Sequence, residues 1–153
     1  MRSVLRGVAA AVLAAALFAG GRPSQAADEG VVYNSANGHW YKFVQANGTW
    51  GSAKTGAEGM ESGYLASITS SEELQWILSN VGTGANSVWI GGHDSVTEGV
   101  WQWLSGEPWA YTNWNGGEPN NVGGENRLMM YANGTWNDAN DVYNLPGYLV
   151  EWS

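Results

Sequence analysis

The sequence contains no cysteine among its 153 residues. Disulfide bonds are therefore excluded as a means of stabilising the fold. A chain without them relies on core packing, on a bound metal, or on both. Ten Trp and seven Tyr supply much of the apolar area that such packing needs. Large aromatic side chains also contact ligands well, so their number alone does not separate core residues from binding-site residues.

Long apolar runs are also missing, except near the N-terminus. There, Arg2 and Arg6 precede an apolar run over 8–19, and a small-x-small pattern follows at 24–26. This arrangement is typical of a secretory signal peptide, and the run is too short to anchor a protein in a membrane. The sequence predicts a signal peptide over 1–26, a single mature domain over 27–153, secretion to an extracellular or periplasmic location, and no membrane insertion.

Basic residues are scarce once the leader is removed. The whole chain carries six Lys and Arg against fourteen Asp and Glu. Only Lys42, Lys54 and Arg127 lie beyond the leader, so three basic residues face fourteen acidic ones and the net charge of the mature chain is −11. Such a surface excludes nucleic acid and anionic membranes as partners, because both need basic patches. It favours cations, neutral ligands or basic partners.

Short patterns predict a mixture of helices and strands. Residues 31–44 form a predicted hairpin around Asn37-Gly38, and 49–62 form a weak predicted helix interrupted by glycines. A short strand at 64–68 leads into a helix that begins with a predicted capping box between Ser70 and Glu73. Further strands are predicted at 88–91, 127–131 and 148–152. A loop-rich segment lies between the first and the second of these strands, and a loop of that length in a compact domain is usually functional.

The pentapeptide ANGTW occurs twice, at 46–50 and at 132–136. Two β-turns of the same Asn-Gly type explain this better than a duplicated domain. Both copies also match the N-glycosylation pattern, at Asn47 and Asn133.

One loop gathers oxygen-bearing side chains without any basic residue. Residues 115–126 read NGGEPNNVGGEN, and the run RLMMY with a turn separates them from Asn137 and Asp138. A hairpin there brings the two segments together, and calcium takes six to eight oxygen ligands. The alternative is that these segments are plain solvated loops and turns. The candidate ligands are Glu118, Asn120, Glu125, Asn137 and Asp138.

Five motifs in register resemble those of C-type lectin domains. They are ASITSSEE (66–73), WIGG (89–92), EPN (118–120), WND (136–138) and YLVEW (148–152). The resemblance covers about 38–152 and implies an α+β, C-type lectin-like fold. That fold has two helices, antiparallel sheets that join the two chain ends, and a long calcium-binding loop region.

The resemblance also implies a principal Ca²⁺ site and a sugar site made of the same residues. These are Glu118, Asn120, Glu125, Asn137 and Asp138, with a cis Glu118-Pro119 bond that turns 118 and 120 towards one ion. In the family, two vicinal sugar hydroxyls complete the calcium shell, and carboxylates and amides bond to them. The EPN order goes with mannose, glucose, N-acetylglucosamine or fucose.

Further residues match family positions. Asp94, Glu98, Asn121 and Asn126 correspond to an auxiliary calcium site, with amides at two places that often carry Asp. Trp109, Tyr111 and Trp114 either stack on a sugar ring or pack within the long loop, and packing is the better interpretation.

Where the family has disulfides, this chain has other pairs. Arg127 and Asp141 lie about where one bridge would be, and an ion pair between them is predicted. Ala57 or Glu58 with Val150 lies about where the other would be.

The leading hypothesis is a secreted, calcium-dependent lectin without catalytic activity. The alternative is a protein- or ice-binding module in which calcium is only structural. A hydrolase that uses Glu118 and Glu125 is disfavoured, because carboxylates bound to calcium stay ionised, and His39 and His93 are predicted turn and loop residues. The chain has no heptad stalk, so any oligomer would form through the domain surface.

Overall fold

The computed structural model describes residues 29–153. The predicted signal peptide and its cleavage site lie outside these residues. The elements of the described part are β1 (Val32–Asn34), β2 (His39–Gly48), α1 (Trp50–Glu58), β3 (Tyr64–Leu65), α2 (Ser71–Asn80), β4 (Val88–His93), β5 (Gln102–Trp103), β6 (Arg127–Met130), β7 (Trp136–Ala139) and β8 (Leu145–Trp152).

The strands of residues 29–153 form one sheet in the order β1-β2-β8-β4-β6-β7, with β3 paired to β8 and β5 paired to β4. Strand β2 runs antiparallel to β8, from Trp40 opposite Trp152 to Gly48 opposite Leu145, so the two ends of the domain are hydrogen-bonded together. Strands β4 and β8 are parallel. The predicted α+β fold, with two helices and strands that join the chain ends, is confirmed.

Both faces of the central strands are buried. Along β4, Val88 and Ile90 belong to one apolar cluster, while Trp89 belongs to the other. The first cluster includes Leu74 and Ile77 of α2, and the second includes Trp50 and the alanines of α1. Since successive side chains of a strand point to opposite faces, each helix covers one face of the sheet.

The predicted hairpin around Asn37-Gly38 is confirmed, since β1 and β2 pair antiparallel across it. The turn predicted at Asn47-Gly48 is wrong. Both residues belong to β2, with an irregularity in its pairing before Gly48, and Thr49 then caps α1. The first ANGTW is thus a strand end and a helix cap. The second contains a turn at Asn133-Gly134, as predicted. A shared pentapeptide does not fix backbone conformation, because its neighbours differ.

One of the two hydrogen bonds of the predicted capping box is present at the start of α2. The Ser70 side chain accepts a hydrogen bond from the Glu73 backbone N–H, as predicted. The Glu73 carboxylate does not return to Ser70. It accepts from the N–H of Thr69 at 2.7 Å and from the Thr69 hydroxyl at 2.9 Å. The helix therefore begins where predicted, but the Glu73 carboxylate bonds to Thr69 instead of to the Ser70 backbone.

Two predicted elements are shorter than the sequence patterns suggest. Helix α1 ends at Glu58 rather than at 62, and β3 covers only Tyr64–Leu65 of the strand predicted at 64–68. His39 is the first residue of β2 and not a turn residue, and His93 is the last residue of β4. Within residues 29–153, no helix has the length and apolar character needed to cross a membrane.

Candidate functional site: an oxygen-rich loop on the β6–β7 hairpin

The β6–β7 hairpin places Asn137 and Asp138 beside the oxygen-rich loop. In its register, Leu128 lies opposite Asp138 and Met129 lies opposite Asn137. The turn between the strands depends on Gly134, whose φ of +88° is a conformation that L side chains rarely adopt. The hairpin predicted between the two segments is therefore confirmed.

The long loop is fastened to β7 by backbone hydrogen bonds on both sides of Trp114. The Trp136 N–H donates to the Asn113 carbonyl at 2.8 Å, and the Asn115 N–H donates to the Trp136 carbonyl at 2.8 Å. Trp114 and Trp136 thus form a parallel bridge. The Glu118 N–H then donates to the Asn115 carbonyl at 3.0 Å. The backbone at Glu118 is therefore held in place by a residue that is itself bonded to β7.

Asp138 binds the turn that follows Glu118. Its carboxylate is 1% exposed and accepts from the Asn120 N–H at 3.1 Å and from the Asn121 N–H at 2.7 Å. The Glu118-Pro119 peptide bond is cis, as expected. The Asn120 side-chain amide donates to the Glu118 carboxylate. Strand β7 and the EPN segment are therefore held together by a single buried carboxylate.

A second turn places Glu125 near Glu118 and Asp138. The Glu125 N–H donates to the Asn121 side-chain oxygen at 2.7 Å, and Asn121 has a φ of +48°. The Glu125 side chain is nearly buried, with 8% exposed. The amide of Asn140, just after β7, donates to the carbonyls of Gly123 and Gly124 at 3.3 Å. This role of Asn140 was not predicted from the sequence, although its position in the run NDAND was a signal.

The three carboxylates of this loop site lie close enough to repel one another. Burial raises the pKa of Glu118, and its hydrogen bond and charge interaction with Asp138 raise that pKa further. The pKa of Glu125 is raised by burial first and then by the charges of Asp138 and Glu118. Burial raises the pKa of Tyr131, and the charges of the same carboxylates raise it further. Tyr131 is therefore a neighbour of the site that was not predicted from the sequence.

The structure thus brings Glu118, Asn120, Glu125 and Asp138 together, with Asn137 next to Asp138 on the strand. The Asn137 amide donates to the backbone carbonyl of Asp138. Three carboxylates and two amides form an oxygen-only donor set that suits a hard divalent cation. The mutual repulsion of the carboxylates is what such a cation would relieve.

The residues predicted for an auxiliary site differ in burial and in the contacts that they make. Asp94 is 1% exposed, its Oδ2 accepts from the Gly99 N–H at 2.8 Å, and its Oδ1 has no hydrogen-bond partner. Glu98 is exposed. Asn121 takes part in the loop site through its bond to Glu125, and Asn126 is half-buried. A buried oxygen without a partner is unfavourable, so a cation or a hydrogen-bond donor at Asp94 Oδ1 would be stabilising.

The tryptophans of the loop pack on one another. Trp109 stacks on Trp101 with ring centroids 5.8 Å apart, and Trp114 meets Trp101 edge-on at 5.0 Å. Tyr111 meets the buried ring of Trp136 at 90°. This supports the packing interpretation of Trp109, Tyr111 and Trp114. All three side chains are partly buried and pack against the first apolar cluster.

The structure also shows the contacts of the residue pairs predicted at the positions of the family's disulfides. The Arg127 guanidinium donates to the Asp141 carboxylate through two nitrogens, as predicted. It also lies 4.5 Å from the centre of the Trp50 ring. Ala57 and Val150 are fully buried members of the second apolar cluster. An ion pair and an apolar contact region therefore occupy the two places.

Comparison with known proteins agrees with this architecture. Residues 46–146 match the Lectin C-type domain family. The chain belongs to this family. C-type lectin domains bind carbohydrate and are not enzymes, which agrees with the prediction that the protein lacks catalytic activity.

The chain is similar in sequence and in fold to individual members of this family. The chain is 38% identical over 100 residues to the low affinity immunoglobulin epsilon Fc receptor of Mus musculus, a match that covers 65% of this chain and 29% of the receptor. Its fold resembles the cow carbohydrate-recognition domain of CD23 crystallised with a GlcNAc2Man3 oligosaccharide, at 34% identity and a TM-score of 0.73, covering 81% of this chain and 93% of that one.

A third neighbour is a calcium-independent type II antifreeze protein, at 25% identity and a TM-score of 0.72, covering 82% of this chain and 93% of that one. The chain spans less than two thirds of the length of curated relatives that it matches, for example 2% of Halomucin of Haloquadratum walsbyi and 65% of Lithostathine-2 of Mus musculus. The comparisons support a lectin-like function.

Proposed function

We propose that this protein is a secreted, calcium-dependent lectin whose mature chain, residues 27–153, is one domain. Its Ca²⁺ would be held by Glu118, Asn120, Glu125, Asn137 and Asp138. The observation that carries this proposal is the meeting of three mutually repelling carboxylates and two amides at the β6–β7 hairpin. When bound, calcium would accept two vicinal hydroxyls of a sugar as ligands.

The protein's own side chains would orient that sugar. In the structure, the Asn120 amide donates to Glu118 and the Asn137 amide donates to the Asp138 carbonyl. Each amide therefore has an N–H donor at the site, which would turn to a sugar oxygen when the sugar binds. The carboxylates of Glu118 and Glu125 would accept from the two hydroxyl protons. Each hydroxyl would then meet one acceptor and one donor.

We further propose a preference for mannose, glucose, N-acetylglucosamine or fucose, based on the order Glu118-Pro119-Asn120. The CD23 domain crystallised with a mannose-containing oligosaccharide supports this choice. An auxiliary Ca²⁺ site at Asp94, with Glu98, Asn121 and Asn126, is supported by the unpaired Asp94 Oδ1. Any oligomer would form through the domain surface, since one simple sugar site binds weakly and repeated sites add avidity.

The second candidate is a protein- or ice-binding module with calcium as a structural ion at most. The likeness to a calcium-independent antifreeze protein favours it. The retained donor set of the loop site argues against it, because an interaction surface does not need three carboxylates that repel one another.

A glycan array probed with and without a calcium chelator separates the two. The lectin proposal expects signals on mannose-type glycans that disappear with EDTA. Binding that survives EDTA, or no glycan signal in calcium, would contradict it and favour the interaction module.

A further inference from the structure

A second cluster of potential metal ligands lies away from the loop site. His39 on β2, Glu73 on α2 and Glu151 on β8 each place one ligand atom within 4.8 Å of the others. His39 binds Glu151 through its Nδ1. The proposed lectin function uses none of these residues. The cluster joins the N-terminal hairpin, a helix and the last strand.

Each carboxylate of this cluster has one oxygen held by the backbone and one turned inwards. Glu151 Oε2 accepts from the Ser67 N–H at 2.8 Å, while its Oε1 faces His39. Glu73 Oε2 accepts from the Thr69 N–H at 2.7 Å, while its Oε1 accepts from a tyrosine hydroxyl. Backbone donors that fix carboxylates in this way are typical of the surroundings of metal ligands.

The tyrosine is Tyr41, which is fully buried between the two acids. Its hydroxyl donates to Glu73 Oε1 and lies 3.3 Å from Glu151 Oε1. The Asn37 amide donates to the Tyr41 hydroxyl at 2.7 Å. The inward-facing atoms therefore share a small polar centre rather than separate hydrogen bonds.

The two carboxylates are too deeply buried to be balanced by solvent. Glu151 is 0% exposed and Glu73 is 6% exposed, whereas the His39 side chain remains 21% exposed. A buried carboxylate is costly unless it is paired or coordinates a metal, and one divalent cation here would be shared by both carboxylates. The partly exposed imidazole offers such an ion a way in from solvent.

We propose that His39, Glu73 and Glu151 bind one transition-metal dication of the zinc type. An imidazole nitrogen with two carboxylate oxygens, and a fourth position for water, suits tetrahedral Zn²⁺. Calcium takes six to eight ligands and all are oxygen, so the imidazole disfavours it here. In a chain without cysteine, this ion would tie β2, α2 and β8 together as a disulfide does in other proteins.

The test uses protein prepared without a histidine tag, saturated with calcium and titrated calorimetrically with Zn²⁺. The proposal expects one Zn²⁺ per chain and a higher melting temperature in zinc. The sequence has two histidines, so His93→Gln is a matched control for His39→Gln. His39→Gln should weaken Zn²⁺ binding at least about tenfold, while His93→Gln should bind as the unaltered protein does.

Two results would overturn the proposal: no Zn²⁺ binding by the calcium-saturated protein, or an affinity unchanged in His39→Gln. If His39→Gln does not fold, the unaltered protein still decides the matter. Co²⁺ should then shift the ring-proton NMR signals of His39 and leave those of His93 in place. The reverse pattern would contradict the assignment. Because every arm contains saturating calcium and no sugar, failure here is separate from failure of the lectin proposal.

Discussion

Removing calcium is expected to lower the melting temperature of this domain by about 10 °C. The reason lies in the loop site, where the charges of Glu118, Glu125 and Asp138 act on one another and no basic residue occurs within 115–126. A ligand at a hundredfold excess over its Kd stabilises the folded state by about 2.7 kcal/mol. For a domain of this size, 1 kcal/mol corresponds to about 4 °C.

The assay is calorimetric unfolding at neutral pH in calcium and in EDTA. Glu125→Gln is the matched variant, because it removes one charge while an amide oxygen still accepts from the backbone near Val122. Asp138 would be a poorer choice, since its carboxylate holds two backbone N–H groups and its loss would disturb the fold itself. The calcium response should shrink in Glu125→Gln. Equal melting temperatures for the unaltered protein in calcium and EDTA would refute the reasoning.

Three substitutions test other parts of the structure. Asn137→Asp should weaken mannose binding roughly 5- to 30-fold by calorimetry, while calcium binding changes less, because one amide donor is lost and the oxygens remain. Asp141→Asn should lower the free energy of unfolding in urea by about 1 kcal/mol at most, because the Asp141 side chain that pairs with Arg127 is 59% exposed. Gly91→Ala should lower it by about 1–3 kcal/mol or more, because a Cβ there would lie 2.3 Å from the Leu65 carbonyl oxygen.

Each of these has its own control or contrary outcome. Unchanged mannose affinity in Asn137→Asp would remove that amide from the sugar site. A loss well above 1 kcal/mol in Asp141→Asn would mean that the ion pair acts as more than a surface contact. Gly116→Ala is the control for Gly91→Ala, since nothing lies within 4 Å of its added Cβ and its φ is not positive. A large effect there would contradict the steric argument.

Much of the fold follows from local patterns in the sequence. The Asn37-Gly38 turn and the Ser70 cap were predicted because each depends on a few adjacent residues. The failure at Asn47-Gly48 has the opposite cause. Strand β8 pairs with that segment from the far end of the chain, and Thr49 caps α1 directly after it. Pairing across the whole chain overrides the local preference for a turn.

The loop site was predictable in residue type but not in its detailed contacts. Oxygen-bearing side chains without basic neighbours were visible in the sequence. What was not visible is that Asp138 binds the backbone of Asn120 and Asn121, or that Asn140 holds two carbonyls of the glycine turn. These bonds join segments that meet only after β6 and β7 pair.

The His39 cluster was missed for a similar reason. Glu73 was interpreted as a capping residue, and His39 as a turn residue. Their meeting with Glu151 requires β2 to pair with β8 and α2 to pack beside them. No spacing within a single segment reports such a contact.

The most direct test of the lectin account is a calorimetric titration of mannose into calcium-loaded protein and into the same protein after EDTA. The account predicts weak binding in calcium, of the order of millimolar Kd or about −4 kcal/mol, and none in EDTA. Equal binding in both, or no binding of any mannose-type sugar in calcium, would contradict it.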